Sequence, residues 1–187
     1  APPDVRVIRT APDSVPWLIA ELGRRGTKVA IVITAGPGVE ASSHATNAQW
    51  REKLLQAAKP NLLRIVGPNC IGYAAPGVGL NASFGPGNLK VGRIAAVAQS
   101  GAVLAGLADW GAAQGIGFSY LVSMGDMSDV DFGDVLDLLA RDPDPPAVLM
   151  DVEGITHARK FRSAARDALR WNPVSVRNTA PPPPPPH

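Results

Sequence analysis

Gln99, Ser100 and Gly101 close an apolar run (94–98, IAAVA) and open a stretch of helical periodicity (101–114). A serine at such a junction sits at the carboxyl end of a strand and in the first turn of a helix. Backbone N–H groups without carbonyl partners, a hydroxyl and the positive helix end converge there. That is the chemistry of an anion or phosphate site. Serine is equally the residue type that caps a helix, and the local sequence leaves both roles open. Asn69 and Cys70 end another strand, after Gly67-Pro68. The Asn69 amide can hydrogen-bond a ligand and Cys70 can lie near a thiol or acyl group, although a lone cysteine also packs as a small buried hydrophobe. Glu153 ends a third apolar run beside Gly154, a place from which a carboxylate can orient a histidine.

Other candidates carry less. Asp126, Asp129 and Asp131 crowd the stretch 124–131 (MGDMSDVD) ahead of a helix. Carboxylates so placed can hold a metal, but they also cap helices, and a flexible capping segment with no metal is the reading taken. His44 lies in a polar loop, His157 opens an amphipathic helix and His187 is the last residue. None pairs with a plausible nucleophile, and each is expected at the surface. Residues 36–41 (GPGVEA) and 77–82 (GVGLNA) both fit G-x-G-x-x-A in form. The first has its helix starting too late and loses an amide to Pro37; the second has no helix after it, so both are expected as loops.

The strong candidates require strands that end together. Strand-like runs at 5–9, 28–34, 63–66, 94–98, 118–124 and 147–153 alternate with helical spacing at 13–25, 47–59, 101–114, 131–141 and 157–170. A last strand is available at 174–176. The run KVAIVIT (28–34) is apolar and β-branched, as in a strand buried on both faces. Val15, Leu18, Ile19 and Leu22 share a helix face, with Asp13 or Ser14 as cap and Pro16 in the first turn. Val103, Leu104, Leu107 and Trp110 are expected to face inward from the helix after Ser100. This alternation predicts right-handed βαβ units and an α/β fold of tandem three-layer parallel sheets. Glycines at 72, 77, 79, 85, 87 and 92 make 71–92 read as an irregular boundary. The expected organisation is one domain over 1–88, a second over 89–177 and a disordered proline-rich tail over 178–187.

Composition narrows the partners. The chain has 187 residues with 19 glycines and 19 prolines, and six of the prolines form the run 181–186. A hydrophobic fraction of 45% is too high for a chain that cannot build a core. Eighteen Lys and Arg against 16 Asp and Glu give +2, with no basic block, so no nucleic-acid footprint is expected. The single cysteine excludes an internal disulfide and fits a reducing, cytoplasmic setting. There is no apolar run of about 18 residues and no signal-peptide pattern, so no membrane association is expected.

In order along the chain, GPNCIG (67–72), GLNASF (79–84), GRIAAVAQSGAV (92–103), the stretch 115–143 and THARKFRSAAR (156–166) resemble the NDP-forming acyl-CoA synthetases. This is the superfamily of the succinyl-CoA synthetase α subunit. The likeness is strongest to the acetate–CoA ligase part of bacterial proteins that also carry a GNAT acetyltransferase domain. It implies a partial CoA-binding Rossmann-like domain followed by a flavodoxin-like CoA-ligase domain. The implied reaction joins a small carboxylate and CoA at the expense of ATP or GTP, through an acyl phosphate and a phosphohistidine. The nucleotide and Mg would be held by an ATP-grasp domain or subunit outside this chain. By residue match, Ile33, Thr34 and Ala35 fall on the CoA-contacting strand end, and Asn69 and Cys70 line the route to the CoA thiol. Gln99, Ser100 and Gly101 fall on the phosphate-binding helix start, and Glu153 on the glutamate that steadies the phosphohistidine. The family's N-terminal half-domain and its phosphohistidine loop have no counterpart here; the proline tail stands where that loop is expected. The chain alone is therefore expected to be inactive as a synthetase, with a non-catalytic CoA- or acyl-CoA-sensing module as the alternative. A flavodoxin-like protein with a different phosphate ligand at 99–101 is a third.

Overall fold

A computed structural model of the chain describes residues 3–38, 44–85, 87, 89–142 and 146–179. The proline run, His187 and part of the 36–41 stretch lie outside the described residues, as do the side chains of His44 and Ala45.

Strands β1 (Val5–Ile8), β2 (Val29–Val32) and β3 (Arg64–Val66) form a parallel sheet in the order β1-β2-β3. Helices α1 (Val15–Arg24) and α2 (His44–Ala58) pack together over one face. Their apolar sides, Val15 and Ile19 from α1 and Trp50 and Leu54 from α2, meet Ile8, Ala30, Val32 and Ile65 in a closed cluster. Pro16 occupies the first turn of α1 as expected. Ser14 does not cap that helix with its side chain; its hydroxyl is bonded to Thr10 and Ala11 instead.

The second sheet has six strands in the order β5-β4-β7-β6-β8-β9. They are β4 (Gly72–Ala75), β5 (Leu80–Ser83), β6 (Val91–Ala98), β7 (Phe118–Ser123), β8 (Ala147–Val152) and β9 (Val174–Asn178). From β7 to β9 the sheet is parallel, while β4 pairs antiparallel with both β5 and β7. Alternation along β6 sends Ala96 and Ala98 to helix α3 (Gly101–Ala113), and Ala95 and Val97 to α4 (Phe132–Ala140) and α5 (Ala158–Ala168). Both faces of this sheet are thus covered.

Three expectations change. The stretch 71–92 is not irregular throughout: residues 72–83, with Gly72, Gly77 and Gly79, form a hairpin, β4–β5, that hydrogen-bonds into the second sheet although it precedes residue 89. Gly79, at φ +69°, is its left-handed turn residue. Asn178 belongs to β9 and the Thr179 N–H donates to the Val152 carbonyl, so order extends past 177. Trp110 is exposed, and the inner face of α3 is Leu104, Ala108 and Gly111. Helical spacing alone could not tell which part of that broad apolar surface the sheet would cover. Among the described residues no helix is long and apolar enough to cross a membrane.

Candidate functional site

The carboxyl ends of β6, β7 and β8 lie side by side, and the chain leaving each of them borders one cleft. After β6 comes Gln99-Ser100, with Ser100 at the N-cap of α3 and its Oγ accepting from the Val103 N–H at 3.4 Å. Of the two roles left open for Ser100, the cap is thus observed, and the same residue lines the cleft. The Gly101 and Ala102 amides have no carbonyl partner within the helix, as the first turn dictates. Gly101 is needed for close approach: a Cβ there would stand 2.6 Å from the Ile71 Cγ2.

Gln99 ties the three strand ends together. Its N–H donates to the Asp151 carbonyl (3.1 Å) and its own carbonyl accepts from the Gly125 N–H (3.3 Å). Its side-chain oxygen accepts from the Glu153 and Gly154 amides, both at 3.1 Å. That oxygen therefore holds the Glu153 loop and is not directed at a phosphate. Glu153 itself is exposed at the cleft, one residue past β8.

The first sheet reaches the same place through the turn 67–71. A cis peptide joins Gly67 to Pro68, and Asn69 has left-handed φ (+58°). The Asn69 N–H donates to the Thr34 carbonyl, and its Nδ2 donates to Asp126 Oδ1 at 3.2 Å. Cys70 is 3% exposed and its Sγ donates to the Val32 carbonyl. Burial pushes its thiol up to about 11, so it is protonated and poorly nucleophilic near neutral pH.

Together Asn69, Cys70, Gln99, Ser100, Gly101 and Glu153 line a cleft of about 420 Å³, with Ile71, Ala102, Gly125 and Asp126 completing it. Ile33, Thr34 and Ala35 do not line it. They lie just beyond β2, and the Thr34 hydroxyl is spent bridging to Thr10, accepting from its N–H and donating to its carbonyl.

The acidic stretch 124–131 is a clasp between the sheets. The amides of Asp126, Ser128 and Val130 donate to the carbonyls of Pro68, Gly67 and Ile65. Asp129 Oδ2 accepts from the Ile65 N–H (2.8 Å) and from Arg64 Nε (2.9 Å). Asp131 caps α4 in a reciprocal box with Asp134, and also pairs with Lys160 (2.9 Å) and His157 Nδ1 (2.9 Å). Burial works against its charge, but Lys160, His157 and the Asp134 N–H outweigh it and hold its pKa near about 2. Among the described residues no group of three or more His, Cys, Asp or Glu is arranged to hold a metal. Asp126 is the cleft residue that motif reasoning missed. Its signal was positional: it follows β7 as Ser100 follows β6 and Glu153 follows β8.

A half-covered three-stranded sheet joined to a six-stranded one, with a helix terminus at their seam, defines a tandem of a Rossmann-like and a flavodoxin-like domain. Residues 1–76 match the model of a CoA binding domain, and residues 91–179 that of the succinyl-CoA ligase like flavodoxin domain. The chain belongs to the NDP-forming acyl-CoA synthetase family. It is 34% identical over 176 residues to the acetate–CoA ligase [ADP-forming] I of Archaeoglobus fulgidus, covering 92% of this chain and 25% of that protein. It is 32% identical to the α subunit of acetate–CoA ligase [ADP-forming] I from Pyrococcus furiosus, covering 92% of this chain and 37% of that one. Among solved structures it is similar to the dinucleotide forming acetyl-coenzyme A synthetase 1 of Ca. Korarchaeum cryptofilum. That match has a TM-score of 0.87 and 33% identity, over 95% of this chain and 38% of that one. The chain thus spans between a quarter and two fifths of the length of these relatives.

Proposed function

We propose that this chain supplies the CoA-binding and acyl-phosphate-handling part of an ADP-forming acyl-CoA ligase acting on acetate or another small carboxylate. The observation that carries the reading is the meeting of the α3 start, the Asn69 turn and Glu153 in one cleft. In this reading the phosphoryl group of an acyl phosphate lies against the Gly101 and Ala102 amides and the Ser100 hydroxyl. These donors are fixed before the ligand arrives, so they stabilise developing charge without reorganising. The CoA thiolate attacks the acyl carbon; the bond from that carbon to the phosphoryl oxygen breaks, and the thioester forms. Inorganic phosphate is left at the helix terminus, and the thiol proton goes to phosphate or solvent. Residues 33–35 and Asn69 border the side from which CoA enters, with Cys70 as packing beneath it.

Glu153 would steady a phosphohistidine carrying the phosphoryl group from an ATP-grasp domain or subunit that holds ATP and Mg. His157 does not line the cleft and is engaged with Asp131, so the carrier is not this histidine. The purified chain given acetyl phosphate and CoA is expected to form acetyl-CoA, and Ser100→Ala to slow it by about tenfold. Given acetate, ATP and CoA, the chain alone is expected to form none. Absence of thioester from acetyl phosphate would count against the proposal. CoA binding without transfer would favour the sensing-module alternative, as in a protein with a fused GNAT domain.

A further inference from the structure

Helix α5 breaks the local rules of helix design on its outer face. Its first turn holds Arg159 and Lys160 with no acidic residue, where the helix dipole favours the opposite charge. Its N-cap, His157, makes no side-chain capping hydrogen bond to the helix. Arg159, Arg162 and Arg166 recur at intervals of three and four, which places them on one stripe of α5, and Arg170 follows in the turn just past its end. Like charges at these spacings destabilise a helix. All four arginines are exposed, and among the described residues none has an ion-pair or hydrogen-bond partner. Lys160 on the same helix, by contrast, pairs with Asp131 and Asp134.

Beside the stripe stand Leu169 and Trp171, 61% and 69% exposed. The opposite side of the helix, Ala164 and Ala168, is buried in the core of the second sheet, so α5 cannot roll its apolar face into a lipid surface. Arginine with exposed tryptophan is the composition enriched at protein–protein contacts. Unpaired charges at a helical repeat are matched in register by acids at the same repeat on another helix.

We propose that the outer face of α5 docks an acidic helix of a partner protein, with carboxylates opposite the four arginines and an apolar side chain against Leu169 and Trp171. This surface lies apart from the cleft and does not rest on the reading of the cleft.

The test uses the full chain and a fluorescent amphipathic peptide, helical in isolation, with Glu at the matching spacing and Leu beside the stripe. A version with Lys for Glu, a single-stranded DNA and phosphatidylserine vesicles are the comparison probes. The Glu peptide is expected to bind, to weaken about tenfold between low and high salt, and to lose at least about tenfold in affinity with Arg162→Glu/Arg166→Glu. That variant is expected to melt close to the parent, because it turns the repulsion between residues 159 and 162 into attraction while the 162/166 pair stays like-charged. An equal response to the Lys peptide, tighter binding of DNA or vesicles, or Glu-peptide binding indifferent to the double variant would overturn the proposal. So would no binding of the Glu peptide at low salt.

Discussion

The two sheets differ in how they are covered, and the proposed chemistry divides along that difference. In the first, both helices lie over one face, and on the other the edge-strand residues Val5 and Val7 are exposed. In the second, α3 closes one face and α4 with α5 the other, so the strands β6, β7 and β8 are held from both sides. The groups that the proposed reaction needs held in place, the α3 amides and Glu153, rise from the doubly covered sheet. The first sheet contributes a turn, 67–71, that is pinned across the seam by the backbone of 125–130. A rigid anion site and a more open wall for a large ligand fit that division.

Breaking the seam is expected to do most. Gly125 has φ +57°, and a side chain there would run into the Pro68 carbonyl oxygen. Gly125→Val is expected to cost about 3 kcal/mol or more and to abolish acyl transfer, read by thermal melting and the acetyl phosphate assay. Core truncations separate the two regions. Leu54→Ala and Leu136→Ala each remove a fully buried side chain, one from each core, at about 3 kcal/mol each. Acyl transfer at saturating CoA should fall further in Leu136→Ala, since that core backs β6 and β8, the strands from which the proposed phosphate site and Glu153 extend; an equal fall would erase the distinction.

Asp131 tests the tie between α4 and α5 by pH. Its folded-state pKa, near about 2, lies below the unfolded value of about 3.9. The stabilisation it provides is complete above about pH 4 and is lost as the pH falls through 2. Acid unfolding followed by circular dichroism should show a shallower loss between these values in Asp131→Asn than in the parent. The smallest effect is expected at Gln99. Gln99→Met removes the acceptor for two amides, and exchange of the Glu153 and Gly154 amide hydrogens should quicken by on the order of tenfold with little change in melting.

Much of this was legible locally. The switch from β-branched runs to helical spacing marked nearly every element, and Ser100 was legible because a cap and its helix are neighbours in sequence. The hairpin β4–β5 was not, because its glycines look the same in a loop, and pairing with β7 is a contact across some fifty residues. Asp129 and Asp131 looked like capping residues or a metal cluster for a similar reason. Asp131 is indeed a cap, but Asp129 finds its partners at Arg64 and Ile65, and no spacing in the sequence announces them. The hold of the Gln99 side-chain oxygen on the Glu153 and Gly154 amides was not legible either, since only the pairing of β6 with β8 brings those amides near.

The most direct test of the account is a titration of the isotopically labelled chain with inorganic phosphate, followed through its backbone amide resonances. The account predicts saturable shifts centred on Gly101 and Ala102, with smaller ones at Glu153 and Gly154, all lost or weakened when the Ser100 hydroxyl is removed. Saturable shifts centred elsewhere, or none at Gly101 and Ala102 at high phosphate, would contradict it.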